Sequence, residues 1–252
     1  MSGDNERKFP VAHPKLGVVI PLANEEATVE QLLQRVLAQL GPLDHIFCVL
    51  DGKSRDRTMA LVRGVSSLDQ RVVAVWAPEN RCVVDAYFRG FREALAAGCD
   101  WVLEMDGGLS HCPEEIPRFL DALGKGADFA AGSRFIRGGS YQGRWSRRLL
   151  SRGGTLLANL LLDTRMKDMT SGFECFSRRA LSRVVAQGVR SRAHFFQTEI
   201  RYMLHDWSWV EVPITYCNPS TSVGKAAVLE SVRLLLRLAW EARGKPGKMR
   251  PS

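Results

Sequence analysis

The sequence predicts an α/β fold, a mostly parallel sheet with helices on its faces. Three observations carry this. Short apolar runs rich in β-branched residues recur near 16–21, 45–50, 72–77 and 101–105, the pattern of buried strands. Between them stand segments with apolar residues at helical spacing, long enough for crossovers between parallel strands. Asn24, Asp51 and Asp106 each sit just past the end of one run, where open α/β sheets bind their ligands.

In chain order, residues 1–15 read as a loose, disordered polar leader, and 16–21 (LGVVIP) as the first strand. Residues 27–40 place Val29, Leu32, Leu33, Val36, Leu37 and Leu40 at helical spacing, and Gly41-Pro42 ends that helix. Residues 45–50 (HIFCVL) are the second strand, 58–65 a helix, and 72–77 the third strand. Residues 83–97 form a helix stopped by Gly98, and 101–105 (WVLEM) the fourth strand.

The second half changes character. Residues 127–131 lead into Gly132-Ser133-Arg134, and a basic, glycine-rich loop spans 134–148. Residues 149–162 (LLSRGGTLLANLLL) form a very apolar helix, and another helix lies near 179–187. Residues 209–216 (WVEVPITY) read as a strand, with Pro213 placing it at a sheet edge. An amphipathic helix follows over 226–243, its pattern clearest from Val228, and 244–252 are expected to be disordered. The expected organisation is one domain over 16–225 with that helix appended.

Hydrophobic residues make up 45% and charged residues 25% of the 252, which excludes wholesale disorder and collagen-like repeats. The 35 Lys+Arg against 27 Asp+Glu give +8. Such a charge favours an anionic partner: nucleic acid, a phosphorylated ligand or an acidic membrane surface. The basic residues are not interleaved with aromatics as a base-stacking platform requires, so nucleic acid is not expected. The six cysteines form no C-x-x-C pair; reduced thiols and a cytosolic setting fit better than a zinc or redox motif. The opening MSGDNERKFP lacks the apolar core of a signal peptide, and no stretch of 18 apolar residues free of charge occurs. No membrane span is expected.

Eight segments carry a resemblance. IPLANEEATV (20–29), DGKSRDRT (51–58), EMDGGLSHCPEEIP (104–117), AGSRF (131–135), SRGGTLLANLLL (151–162), DMTSGFECF (168–176), FFQTEI (195–200) and VEVPITY (210–216) together resemble glycosyltransferase family 2, in its dolichol-phosphate mannose synthase branch. The resemblance runs in order from about residue 16 to about residue 240. It implies a GT-A fold (Rossmann-like), a nucleoside-diphosphate sugar donor, a divalent metal (Mg²⁺ or Mn²⁺) and a polyprenyl phosphate acceptor. It also implies inverting transfer of a mannose- or glucose-like hexose, at a membrane that this chain would reach peripherally from the cytoplasm.

Residue by residue, the family's Asp-x-Asp is here Asp106-Gly107-Gly108, with the second acid missing. A carboxylate beyond a strand end suits Mg²⁺, which takes one or two carboxylates plus substrate phosphates. The resemblance therefore implies metal or diphosphate contact at Asp106, with Gly108 and Ser110 at the remaining metal positions; the alternative is a loop cap before His111. In the donor pocket it implies Pro21, Asn24, Glu25, Asp51, Asp106 and Arg134. Asn24 and Glu25 equally suit capping of the next helix, and Asp51 an Asp-Gly turn. The family's tyrosine before Asn24 is Ala23, and its second Asp after the second strand is Gly52.

For the acceptor phosphate the expectation is Arg134, Arg147, Arg148 and, weakly aligned, Lys225; a solvated basic loop is the alternative. Asp168 and Thr170 stand near that region in the resemblance. Gln197 and Glu199, beside the donor sugar, complete the catalytic set with Asp106. Glu199 is the general base if the acceptor is an alcohol, and otherwise a helix acid. His111-Cys112 looks like a metal pair but has no further Cys or His nearby. The clustering of Ala23, Gly52 and Gly108 in one pocket leaves a second reading open, a non-catalytic homologue that binds lipid phosphate or scaffolds a complex. The helix over 149–162 either lies in a membrane interface or covers the sheet as an ordinary core helix.

Overall fold

The computed structural model describes residues 14–217 and 225–244. The sheet is built from β1 (Leu16–Leu22), β2 (His45–Leu50), β3 (Val72–Trp76), β4 (Trp101–Glu104), β5 (Phe129–Ser133), β7 (Glu174–Ser177) and β8 (Trp209–Pro213), in the order β3-β2-β1-β4-β7-β5-β8. Every pairing is parallel except those of β7 with β4 and β5. β1 lies inside, with Val18 opposite Ile46 on one side and Leu103 on the other. Both of its edges are therefore paired, as its unbroken apolar run implied.

The strand side chains alternate between two cores. Val18, Ile20, Ile46, Cys48, Leu103 and Cys175 join one buried cluster. Helices α1 (Val29–Leu37), α2 (Thr58–Leu68) and α4 (Ile116–Gly124) complete it through Leu32, Leu33, Val36, Val62 and Phe119. Val19, Phe47, Val49, Val102, Phe129 and Phe176 join the other. There α3 (Val83–Ala96), α5 (Trp145–Leu162), α6 (Arg178–Gln187), α7 (Phe196–Met203) and α8 (Lys225–Gly244) cover the sheet. The period of two along each strand is what feeds both layers.

Three expectations change. Residues 209–216 are two strands: β8 ends at Pro213, and β9 (Thr215–Tyr216) leaves the sheet to pair with β6 (Ser140–Tyr141). β8 is an edge strand, as Pro213 indicated. Residues 174–177, not assigned from sequence, form the one reversed strand of the sheet. The apolar helix begins at Trp145, not 149, so Arg147 and Arg148 lie within its first turn rather than in the preceding loop. Residues 1–13 and 245–252, most of the leader and tail, fall outside the described residues. All six cysteines are free thiols.

α3 lies unusually close to β1. A Cβ on Gly90 would collide with the Val19 side chain and come within 3.0 Å of Val49. Gly64 in α2 has nothing within 4 Å of its Cβ position. Gly90→Ala is expected to destabilise the fold by about 1–3 kcal/mol through overpacking. Gly64→Ala should stabilise it by about 0.5–1 kcal/mol through helix propensity alone. Urea unfolding of the two variants checks the opposed signs.

Candidate active site

β1, β2 and β4 run parallel, so the loops leaving their carboxyl ends meet on one side of the sheet. A cleft of about 630 Å³ opens there. Pro21, Glu25, Asp51, Asp106, Gly108, Ser110, Arg134 and Gln197 all line it, which brings eight of the expected site residues together. Lys53, Tyr87, Thr170, Gly172, His194, Phe196 and Tyr216 line it too.

The loops after β1 and β2 are sewn together. Asn24 has a left-handed φ of 59°. Its N–H donates to Ser54 Oγ and its side-chain oxygen accepts from Arg55 N–H. Glu25 N–H donates to Thr58 Oγ1 at 2.8 Å, and Glu26 N–H to Asp56 at 2.9 Å. Asp56 also accepts from the Ser54 and Thr58 hydroxyls and from Thr58 N–H. Thr58 first, then the backbone donors and Ser54, hold its carboxyl far below the usual carboxylate range. Asn24, expected in the donor pocket, is a tie between loops and is not among the residues lining the cleft. Asp51 accepts from Lys53 N–H, so it makes the turn while lining the cleft.

Asp106 follows β4. Tyr87 on α3 donates to its Oδ1 at 3.0 Å, and Ser110 donates to its Oδ2 at 3.0 Å. Asp106 N–H donates to His111 Nδ1 at 3.2 Å. His111 is fully buried and stacks on Phe173 with ring centres 4.8 Å apart. Burial pushes its pKa down, so it is a neutral prop for the loop. Among the described residues no group of three or more His, Cys, Asp or Glu could hold a metal ion.

Arg134 is 6% exposed and forks onto fully buried Asp168 with bonds of 2.7 and 2.9 Å, and onto Thr170 at 2.6 Å. Burial alone would raise the Asp168 pKa, but the adjacent guanidinium holds it below the carboxylate range. The Phe135, Tyr141 and Tyr216 rings lie 5.2–5.6 Å from the Arg134 guanidinium carbon.

Glu199 is a correction. Its carboxylate accepts from Arg190 N–H and, at 2.7 Å, from Ser191 N–H. It anchors the 188–192 loop and does not line the cleft. The reason is helical geometry: two residues turn the chain by about 200°, so Gln197 toward the cleft places Glu199 away from it. Arg147 and Arg148, on α5, are not among the lining residues either. Lys225 opens α8, and its side chain lies outside what the structure describes.

Beneath the cleft floor Arg201, fully buried, bonds Glu174 at 2.5 Å and the carbonyls of Asp168, Gly132 and Ser171. Glu104 stands opposite Glu174 across β4 and β7. Both are fully buried; the Gln197 side chain is the polar neighbour of Glu104, without a well-formed hydrogen bond to either of its oxygens. Burial first, then the Glu174 charge, push the Glu104 pKa well up. Arg201 pairs with Glu174 alone, so the second buried carboxyl, Glu104, has its proton favoured by burial and by the Glu174 charge.

The sequence model of glycosyl transferase family 2 matches residues 17–185, which contain Asp51, Asp106 and Arg134. The chain belongs to glycosyl transferase family 2. It is 33% identical over 238 residues to the polyprenol monophosphomannose synthase of Mycolicibacterium smegmatis, covering 92% of this chain and 89% of that one. It is 30% identical to the dolichol-phosphate mannosyltransferase of Pyrococcus furiosus, over 90% of this chain and 64% of that one. The undecaprenyl-phosphate mannosyltransferase of Micrococcus luteus is 29% identical over 88% of this chain and 95% of its own. In fold, the glucosyl-3-phosphoglycerate synthase of Mycobacterium tuberculosis, solved with Mn²⁺, UDP and phosphoglyceric acid, superposes with a TM-score of 0.64 at 19% identity. That match covers 93% of this chain and 80% of that one. The architecture is the GT-A fold, and the chain is a glycosyltransferase.

As a family-2 enzyme the chain has a cleft floor set by glycines. A Cβ on Gly107 would lie 2.7 Å from Leu22 and 2.9 Å from the Pro21 carbonyl, so no side chain fits there. Tyr87 and Tyr216 were missed from sequence because each sits in an apolar run and reads as core. Nothing local marks the hydroxyl of Tyr87 as the partner of Asp106, 19 residues on.

Glu104 gives a pH prediction. Its folded pKa is raised, so its contribution to stability is fully present below about pH 4.5 and is lost as pH rises. Glu104→Gln should melt higher than the parent at pH 8, with the gap closing toward pH 4.5. Thermal melts from pH 4.5 to 8 measure it; a constant gap rejects the buried proton.

Proposed function

We propose that this chain transfers a mannose- or glucose-like hexose from a nucleoside-diphosphate sugar to a polyprenyl phosphate, with inversion, assisted by Mg²⁺ or Mn²⁺. The observation that carries the reading is that Asp106 and the buried Arg134 face one cleft. The similarity of nearly the whole chain to named polyprenol- and dolichol-phosphate mannosyltransferases supports the same acceptor.

Asp106 suits a hard cation that takes one carboxylate and completes its shell with substrate phosphates and water. Asp106 offers a carboxylate whose two oxygens each accept one protein hydrogen bond, leaving lone pairs free. A bound divalent ion would supply charge neutralisation for the leaving diphosphate. Pro21, Glu25 and Asp51 border the donor, Tyr87 and Ser110 aim Asp106, and Gln197 faces the sugar. Arg134, held by Asp168, meets the acceptor phosphate. The bond from the anomeric carbon to the donor phosphate oxygen breaks, one to an acceptor phosphate oxygen forms, and nucleoside diphosphate leaves. A phosphomonoester is already anionic at pH 7, its second pKa being about 6, so no general base is required. Glu199, committed to two backbone N–H groups, is not needed for that role.

Access to a lipid comes from α5. Its buried side is small, Thr155, Ala158 and Leu162, while Trp145 (75%), Leu156 (71%) and Leu160 (76%) are exposed. α8 packs on α5 and exposes Leu236 (56%) and Trp240 (80%). Arg144, Arg147, Arg148 and Arg152 flank the apolar residues. Among the described residues no helix is long and apolar enough to cross a membrane, so the reading is of helices lying in an interface. α5 packs behind the cleft wall: Thr155 accepts from Met169 N–H, next to the cleft-lining Thr170. A lipid phosphate in the cleft would leave its tail along α5.

The test is transfer from labelled nucleotide sugars to polyprenyl phosphate in detergent with Mg²⁺, Mn²⁺ or EDTA. Label is expected in lipid, lost in EDTA and reduced on the order of 10²-fold or more by Asp106→Ala. No transfer by folded protein beside a working control enzyme rejects the reading and leaves the non-catalytic, binding-only one. Separately, the parent should co-sediment with anionic vesicles and release partly at high salt, each nearby basic residue contributing about 1 kcal/mol. A Leu156→Asp, Leu160→Asp, Trp240→Asp variant should stay in the supernatant with an unchanged circular dichroism spectrum.

A further inference from the structure

The chain carries six free thiols, and two of them meet beside the cleft. Cys112 Sγ and Cys217 Sγ lie 4.0 Å apart, although 105 positions separate them in the chain. Cys48, Cys99 and Cys175 are buried, whereas Cys82, Cys112 and Cys217 are partly exposed. Among the described residues no other two cysteine sulfurs are in such contact.

We infer that Cys112 and Cys217 form a redox-responsive dithiol, which peroxide closes into a disulfide that clamps the wall of the active site.

The backbone holds the two sulfurs together. His111 and Tyr216 form an antiparallel bridge, so Cys112 and Cys217 stand one step beyond it and share the opposite face. Cys217 N–H donates to the Ser110 carbonyl at 2.8 Å, and the Cys112 thiol donates to the Thr215 carbonyl at 3.8 Å. A disulfide holds its sulfurs at about 2.05 Å, so about 2 Å of approach remains. Neither cysteine lines the cleft, but their neighbours do. Ser110, two positions before Cys112, donates to Asp106; the Tyr216 ring, next to Cys217, lies 5.4 Å from the Arg134 guanidinium carbon. Drawing the sulfurs together therefore moves the segment that aims Asp106 against the segment that covers Arg134. A misplacement of about 1 Å at such groups can cost about 10²-fold in rate.

Burial, then the Cys217 charge, push the Cys112 thiol up to about 11, so Cys112 keeps its proton while Cys217 meets the oxidant. The Cys217 sulfur attacks peroxide, the O–O bond breaks, and a sulfenic acid and one water form. Cys112 then loses its proton as its sulfur displaces that hydroxyl as a second water, and the S–S bond forms. Two thiols give up two protons and two electrons, and the peroxide is reduced to two waters.

The chemistry of the pair stands without the transferase reading; only its effect on sugar transfer rests on it. The full chain is treated with hydrogen peroxide, alkylated, digested and weighed by mass spectrometry. Free thiols should fall from six to four, with the peptides holding Cys112 and Cys217 joined and then released by dithiothreitol. Hydrogen exchange should slow in peptides covering 106–112 and 209–217. Transfer should fall by about tenfold or more and recover on reduction. Cys112→Ser should keep the activity of the reduced parent and lose each of these responses. Peroxide that joins other cysteines, oxidises single thiols without joining this pair, or leaves all six free overturns the inference. So does a disulfide that leaves exchange in both segments, or the transfer of an active parent, unchanged. A disulfide that slows exchange in a chain without sugar transfer upholds the clamp and rejects only the proposed reaction.

Discussion

A guanidinium removed from water must find an acceptor for each of its donors, and in this chain that demand organises the floor of the active site. Arg201 is fully buried, and its partners come from three separate segments: Gly132 at the end of β5, Asp168 and Ser171 in the loop before β7, and Glu174 within β7. The same loop supplies Asp168 to Arg134. Two buried ion pairs therefore share one stretch of backbone. Breaking such a pair by removing one partner typically costs about 3–5 kcal/mol. The reversed strand β7 is placed between β4 and β5 with its acid facing Glu104, whose pKa is raised first by burial and then by that neighbouring charge.

The other half of the cleft is held by short polar side chains. Asp56 gathers donors from Ser54, Thr58 and Glu26, so the loops after β1 and β2 behave as one unit. That unit aims Glu25 at Gly108. On the far side Tyr87 reaches Asp106 from α3, and Gly90 on the same helix allows the close approach to β1. Packing and catalytic geometry are thus coupled through one helix: the glycine that lets α3 settle on the sheet also sets the height of the phenol.

Much of the first half of the fold was legible in the chain. The strands that start at residues 16, 45 and 101 are apolar runs buried on both faces, a signal that survives without knowledge of their partners, and the one at 72 is a partly exposed edge strand with the same β-branched pattern. β7 was not legible: ECFS is four residues long, carries a buried Glu, and is stabilised by Arg201 from 27 positions away. Asp106 stands at a strand end, Gln197 and Arg134 in segments that carry the family resemblance, and all three line the cleft. The misplacement of Glu199 and Asn24 came from the same source. Each has the right chemistry in the right segment, but which way a side chain turns depends on where its helix begins and on which loop lies across from it.

What the sequence by itself determined is the alternation of strand and helix, the polar residues at the strand ends, the basic balance and the order of the family's motifs. These depend on residue type and spacing along the chain. What only the tertiary structure decided is direction: that α5 turns leucines outward, that β7 runs backward, that Glu25 comes to lie over Gly108. These depend on contacts between residues far apart in the chain. In the last case the two residues are 83 positions apart, and no local pattern registers that they come together.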